Sequence, residues 1–296
     1  MPVLIERLVV VGVGLIGGSF ALALKQAGVV GRVVGLGRSR GSLDRAVELG
    51  VIDAAEEDSA RAMEGADFVL LAMPVAQTQS ALARIAPHLM PDALVTDAGS
   101  TKQDVVAAAR AVLGGGVARF VPAHPIAGAE ASGAAAARAD LFRDRKTVIT
   151  ALDENEAAGV DRVAAAWRAC GAEIRTMTPA QHDGVFAAVS HLPHLLAFAL
   201  VHHILRHDNA VTLFDYAASG FRDFTRIASS HPEMWRDICI GNRERLADEL
   251  ARYRAVLEEL QARLAAEDGE GLERIFAEAR AARDAWLTRT EGGVRR

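Results

Sequence analysis

The chain has 296 residues, a hydrophobic share of 51% and a formal net charge of -5 at pH 7. That length supports one large or two ordinary domains with real cores, and an acidic balance without a basic patch argues against a nucleic-acid surface. The two cysteines, Cys170 and Cys239, stand far apart without ligand spacing, so neither a disulfide framework nor a metal site is expected, and a reducing, cytoplasmic setting fits.

In chain order, Arg7 to Val11 is a short apolar run that stops on Gly12-Val13-Gly14-Leu15-Ile16-Gly17 and continues with helical spacing from Ser19 to Ala27. The pattern reads as strand, tight turn, helix, with G-x-G-x-x-G spacing. Gly12 allows the turn, Gly14 admits a pyrophosphate close to the backbone, and Gly17 lets helix and strand pack closely. The helix opening at Leu15 and Ile16 aims unpaired N–H groups and the positive end of its dipole at the phosphates. No basic and apolar leader precedes the first strand, so secretion is not expected.

Further strands are predicted at Arg32 to Gly37, Phe68 to Ala72, Ala93 to Asp97, Arg119 to Ala123, Lys146 to Thr150 and Glu173 to Thr176. Helices are predicted between them: Ser42 to Leu49, Thr78 to Leu89, Lys102 to Leu113 with Ser100 and Gln103 in capping-box spacing, and one capped by Asp153 and Glu156 that reaches Cys170. The alternation specifies an α/β fold, a Rossmann-type doubly wound parallel sheet. At Thr178-Pro179-Ala180-Gln181 the pattern changes to helices only: Pro179 to Arg206, Val211 to Ala218, Phe221 to Ser229, Pro232 to Leu264 and Gly271 to Arg289. The expected organisation is a dinucleotide-binding domain over 1–178 and an all-α domain over 179–296. The helix around Phe186 to Leu205 is apolar on nearly every face but carries Ser190, His191, Pro193, His194, His202 and His203, which a lipid-facing span tolerates poorly. It is expected to be buried and covered by a partner subunit, making a homodimer without a membrane.

Ligands of such a sheet bind beyond the carboxyl ends of its strands, which here carry Gly12 to Gly17, Gly37 to Arg40, Met73-Pro74, Gly99 to Lys102 and His124 to Gly128. His124, held by the following Pro125 and Gly128 on a rigid, close-approach loop, is the natural general base. Ser100 reads equally as helix cap and as site residue. Arg222 and Arg226 would repel at i, i+4 unless something anionic compensates; Asp223 at i, i+3 or a substrate carboxylate would do so. His191 and His194 have metal-ligand spacing but no apparent third ligand, so they read as a hydrogen-bonded cleft lining or a core pair. An NAD site normally ends its second strand with an acid. Here Gly37 is followed by Arg38, Ser39 and Arg40, which suit a 2′-phosphate, so NADP is favoured and NAD remains the alternative.

Five motifs taken together, Gly12 to Ser19, Asp97 to Lys102, His124 to Glu130, Ser190 to His194 and Gly220 to Ala228, resemble the prephenate dehydrogenase family, which includes arogenate and cyclohexadienyl dehydrogenases of tyrosine biosynthesis. The resemblance implies that His124 takes the proton of the ring 4-hydroxyl and that Ser100 hydrogen-bonds this hydroxyl and orients His124. It implies further that Arg226 binds a substrate carboxylate with Asp223 as its ion-pair partner, that His194 lines the pocket, and that Glu130 sits at the pocket edge. Relatives fused to a chorismate mutase or an ACT domain exist, and neither extension is expected here. Two other readings remain open, a Rossmann dehydrogenase of the 3-hydroxyacid kind and a non-catalytic nucleotide sensor. The first would lack the His124-Pro125 and Arg222 to Arg226 motifs, and the second would lose base and arginine.

Overall fold

A computed structural model describes residues 3–128 and 131–291. Within it, six runs form one parallel sheet: β1 (Ile5–Val11), β2 (Val30–Leu36), β3 (Ala54–Glu56), β4 (Phe68–Leu71), β5 (Leu94–Asp97) and β6 (Phe120–Val121). Their spatial order is β3-β2-β1-β4-β5-β6, the doubly wound arrangement in which β1 and β4 flank the point where the order reverses. Helices α1 (Leu15–Ala27), α2 (Arg40–Glu48), α3 (Ser59–Met63), α4 (Thr78–Ile85) and α5 (Gln103–Leu113) connect these strands. Alternate residues of β1 enter two cores: Leu8 and Val10 pack with Phe20, Leu24 and Trp167, while Val9 and Val11 join Leu82, Val105 and Val106. Burial on both faces explains why the strands are apolar throughout rather than alternating.

The predicted fifth strand is two strands in two sheets. Phe120–Val121 pairs with β5, but Ala123–Pro125 forms β7, which joins a second sheet of order β7-β8-β9 with β8 (Lys146–Ile149) and β9 (Glu173–Thr176). Pro122 marks the crossing; it has no N–H for the first ladder, and its carbonyl accepts from Thr150 in the second. His124 therefore lies in a strand, opposite Val148 and antiparallel to it, rather than in a loop. The helix α6 (Ala157–Ala169) has no side-chain cap from Asp153 or Glu156. Asn155 holds that turn instead, accepting from Leu152 N and donating to the Ala118 and Phe120 carbonyls.

After β9, the Thr178–Gln181 capping box opens α7 (Pro179–Phe186) as expected. A π-helical turn (Ala187–His191) then precedes α8 (Leu192–Leu205). Pro193 in the first turn of α8 has no N–H to give to the preceding ladder, which relaxes into the wider turn. The whole run Pro179–Leu205 is long and apolar enough to cross a membrane by length and composition. Three of its polar residues, His182, Asp183 and His191, are nevertheless buried inside the protein. Within the single chain its far half is only partly covered, as expected of a helix that needs a partner subunit: Leu192 and Ala197 are buried, whereas Leu205 is exposed. Two short helices, α9 (Ala210–Asp215) and α10 (Ser219–Thr225), follow it.

The predicted single helix Pro232 to Leu264 is divided into α11 (Pro232–Gly241) and α12 (Arg243–Ala265), and α13 (Gly269–Glu291) follows. Asn242 breaks it with φ -114° and ψ 30°, because its side chain is held by the Asp183 carbonyl and by His191. The chain forms two compact units, Met1–Leu246 and Ala247–Arg296. Both sheets and the residues taken up below lie in the first; the second consists of α13 and most of α12.

Candidate active site

The turn after β1 shows why glycines stand where they do. Gly12 has φ +93°, and a Cβ there would come within 2.8 Å of the Ala72 carbonyl oxygen, at the mouth between β1 and β4. A Cβ on Gly17 would meet the Gly12 oxygen at 2.4 Å and Val10 Cγ1 at 2.6 Å, so α1 rests directly on its strand. Gly14, by contrast, has nothing within 4 Å of such a Cβ, and it begins α1 without any side-chain cap over Leu15 and Ile16. Open space before an uncapped helix start is what a pyrophosphate requires. A cavity of about 420 Å³ begins there and is lined by Gly12, Gly14, Arg38, Ser39, Met73 and Pro74, so these residues fit a dinucleotide. Arg40 does not line it; its guanidinium pairs with Asp44 one turn along α2 at 2.9 Å. Ser42 and Arg84 line the cavity and were not anticipated. Arg84 arrives from α4, a position that only the fold brings near Arg38.

Beyond the carboxyl ends of β5 and β6 lies a buried polar network. Asp97 accepts from Ala123 N at 3.0 Å and from Gly99 N at 2.8 Å, and it forms an ion pair with the fully buried Lys102 ammonium. These bonds anchor β7 and present His124, which is half-buried. His124 Nδ1 lies 2.9 Å from His182 Nε2, and His182 Nδ1 lies 2.8 Å from Asp183 Oδ1. Asp183 also accepts from the backbone N–H groups of Lys102 and Gln103, each at 2.8 Å, and thereby caps α5. The Ser100 cap expected from spacing is thus displaced: the Asp183 carboxylate, 80 residues after Gln103, takes the Lys102 and Gln103 N–H groups. Among the described residues no hydrogen bond joins Ser100 to His124, whose ring is oriented by His182 instead. His182 and Asp183 were missed. A His-Asp pair in the first turns of an otherwise apolar helix was the available signal.

Electrostatics keep these histidines neutral. Burial pushes His124 well below its ordinary value of 6.5, and repulsion from His182, Lys102 and His191 adds to it. Burial also lowers His182, against the pull of the Asp183 carboxylate. Burial would raise Asp183, but the hydrogen bonds from His182, Gln103 and Lys102 outweigh it and hold the carboxyl below its usual range. His191, 1% exposed, is lowered to about 4 by burial, against the pull of Asp183 and the Ser100 backbone; its Nδ1 meets the Asn242 amide at 3.1 Å.

A second group adjoins the first through His191. Its ring faces Trp235 at 6.2 Å between centroids, and His194 stacks on the same indole at 3.6 Å with Nδ1 on the Ser190 carbonyl at 2.9 Å. Burial lowers His194, and the Arg226 charge lowers it further, so Arg226 stands near this wall. Arg226 and Arg222 line one pocket of about 350 Å³. Among the described residues no ion pair joins Asp223 to Arg226; α10 ends at Thr225, and Arg226 opens a 3₁₀ turn. Glu130, expected at the pocket edge, lies outside the described residues.

Comparison with known proteins agrees with this arrangement. Residues 20–176 match the family described as prephenate dehydrogenase, nucleotide-binding domain, and residues 178–278 match prephenate dehydrogenase, dimerization domain. The chain is 36% identical over 291 residues to the prephenate dehydrogenase of Bacillus subtilis (strain 168), covering 98% of this chain and 78% of that one. It is 34% identical over 285 residues to the cyclohexadienyl dehydrogenase of Zymomonas mobilis, covering 96% and 97%. A crystal structure of prephenate dehydrogenase from A. aeolicus in complex with hydroxyphenyl propionate and NAD+ superposes with a TM-score of 0.90 and 36% identity, covering 95% of this chain and 98% of that one.

Proposed function

Because this chain belongs to the prephenate dehydrogenase family, we propose that it catalyses the oxidative decarboxylation of prephenate or arogenate to 4-hydroxyphenylpyruvate or tyrosine. It is an NAD(P)-dependent dehydrogenase with a Rossmann sheet and a helical dimerisation region. The observation that carries the reading of the site is His124: one ring nitrogen is engaged by His182, and the other has no hydrogen-bond partner among the described residues. That nitrogen takes the proton of the ring 4-hydroxyl as charge develops on the oxygen. Ser100, on the loop before α5, hydrogen-bonds the same hydroxyl. A nicotinamide dinucleotide held by the Gly12, Gly14 and Arg38 cavity would supply the hydride acceptor for the ring carbon that bears the hydroxyl, and loss of the ring carboxylate as carbon dioxide makes the product aromatic and the step irreversible. Arg226 holds a substrate carboxylate, with Arg222 beside it in the same pocket and His194 along the wall. By the family resemblance, Asp223 is assigned as the ion-pair partner of Arg226 and Glu130 to the pocket edge.

The nucleotide-binding part is read as 1–178 and the helical part as 179–296, a division supported by the break between the two matched families. The exposed apolar side chains of Val189, Leu205 and Ile240 support a homodimer. Arg38 and Ser39 at the cavity, without an acid at the end of β2, support NADP over NAD. The buried, unbridged Cys170 is in keeping with a cytoplasmic enzyme. The decisive experiment mixes protein and cofactor with prephenate, arogenate or a 3-hydroxy acid and follows absorbance of the reduced cofactor. Turnover with one of the first two is expected. Turnover with the 3-hydroxy acid alone, or with none, would overturn the proposal.

A further inference from the structure

We propose that His182, oriented by Asp183, is a positioning residue that fixes the proton of His124 on Nδ1 and so leaves Nε2 bare toward the substrate. This rests on the reading of His124 as the base. The argument is a chain of hydrogen-bond roles. An ionised carboxylate only accepts, so Asp183 Oδ1 at 2.8 Å must receive a proton donated by His182 Nδ1. The carboxylate is ionised because both its oxygens receive N–H groups, Lys102 and Gln103 besides His182, and hydrogen bonds of this kind favour the charged form. A neutral imidazole with its proton on Nδ1 presents a lone pair at Nε2. His182 Nε2 is therefore the acceptor in the 2.9 Å contact, and His124 Nδ1 is the donor. One proton per neutral ring leaves His124 Nε2 without one.

The sequence of roles matters because a histidine side chain in water more often carries its proton on Nε2. Released from His182, His124 would present N–H rather than a lone pair to the hydroxyl it must deprotonate. In the step itself, the substrate O–H bond breaks, its proton forms the His124 Nε2–H bond, and the electron pair stays on oxygen. The imidazolium so formed keeps donating from Nδ1 to His182, whose own orientation toward Asp183 does not change. His182 is fully buried and tilts against Phe186 with centroids 4.5 Å apart, so its ring has no freedom to turn and reverse these roles.

The test compares His182→Leu, which cannot accept, with His182→Gln, whose side-chain oxygen can. For His182→Leu, kcat should fall by at least about tenfold while KM for substrate and for cofactor stays within about twofold. His182→Gln should recover most of that loss. The acidic limb of the kcat/KM profile should move in His182→Leu and return in His182→Gln. The other groups facing His124, Lys102 from the start of α5 with its partner Asp97 and His191 from the π turn, are unchanged in both variants. Histidine nitrogen NMR on the wild-type protein should show His124 protonated at Nδ1, and in His182→Leu at Nε2. A wild-type His124 protonated at Nε2, an unchanged kcat and pH profile in His182→Leu, or a His182→Gln no better than His182→Leu would each overturn the proposal. Should His124→Asn itself stay active, the base assignment fails, and the NMR result still reports whether His182 sets the proton's place.

Discussion

At the scale of single residues, the site depends on what each side chain is bonded to rather than on its type. His124→Asn removes the base without touching the phosphate turn, so turnover should fall by roughly 10²–10⁴ while cofactor affinity stays within a few-fold. Retention of more than about a tenth of turnover would refute the base assignment. The two arginines after β2 make a sharper contrast. Arg38 lines the dinucleotide cavity, but Arg40 is tied to Asp44 on an exposed helix face. Arg38→Ala should therefore lower kcat/KM for NADP by roughly tenfold or more, with little change for NAD, and Arg40→Ala should change neither much. An enzyme that prefers NAD, or an Arg38→Ala variant with undiminished NADP efficiency, would contradict the 2′-phosphate assignment. Composition and spacing were enough to single out Gly12, Gly17, Arg38 and His124. They were silent on His182, Asp183 and Arg84, since each acquires its role from a partner distant in sequence.

At the scale of elements, the β1 to α1 turn is the most constrained joint. Gly17→Ala places a Cβ within 2.4 Å of a backbone oxygen, so α1 must lift off the strand. The expected cost is on the order of 1–3 kcal/mol of stability, together with weaker dinucleotide binding, read by urea unfolding and by cofactor titration. An Ala variant with wild-type stability and affinity would mean that the helix has slack the packing does not suggest. The long periodic elements were legible from sequence because their apolar faces repeat over several turns or along a whole strand. Ala54–Glu56 and Ser59–Met63 were not, being too short to show a period. Other departures arose where a long-range bond overrode a local signal. Asp183 took the cap that spacing offered to Ser100, Asn242 stopped a helix that periodicity would have continued, and Pro122 divided one apolar run between two sheets.

At the scale of the whole molecule, the buried histidines set the response to acid. His191 is 1% exposed, and its pKa falls from 6.5 to about 4 on folding. Its folded value lies below its unfolded one, so the unfolded chain binds the proton first as pH falls. Stability from this group is complete above about pH 6.5 and is lost as pH drops toward 4, an effect on the order of 3 kcal/mol. His124, His182 and His194 are lowered in the same direction and steepen the loss. Urea midpoints measured from pH 7.5 downward should fall continuously; a flat profile would refute buried, neutral histidines. Sedimentation at micromolar concentration should give a homodimer, since a lone subunit leaves Val189, 67% exposed, and Ile240, 62% exposed, in water. A stable monomer would contradict that assembly.

The Asp183 carboxylate has an architectural consequence as well. It closes the first turn of α5 from a helix that begins only after the last strand, and the same oxygen that receives Lys102 N also holds His182. The nucleotide-binding segment is therefore not a cassette that can be exchanged between enzymes at residue 178. Transplanted without α7, it would carry a frayed helix start and a His124 ring without its His182 partner. Evolution by swapping of the helical half would have to preserve one aspartate and one histidine at the seam, whatever else it altered.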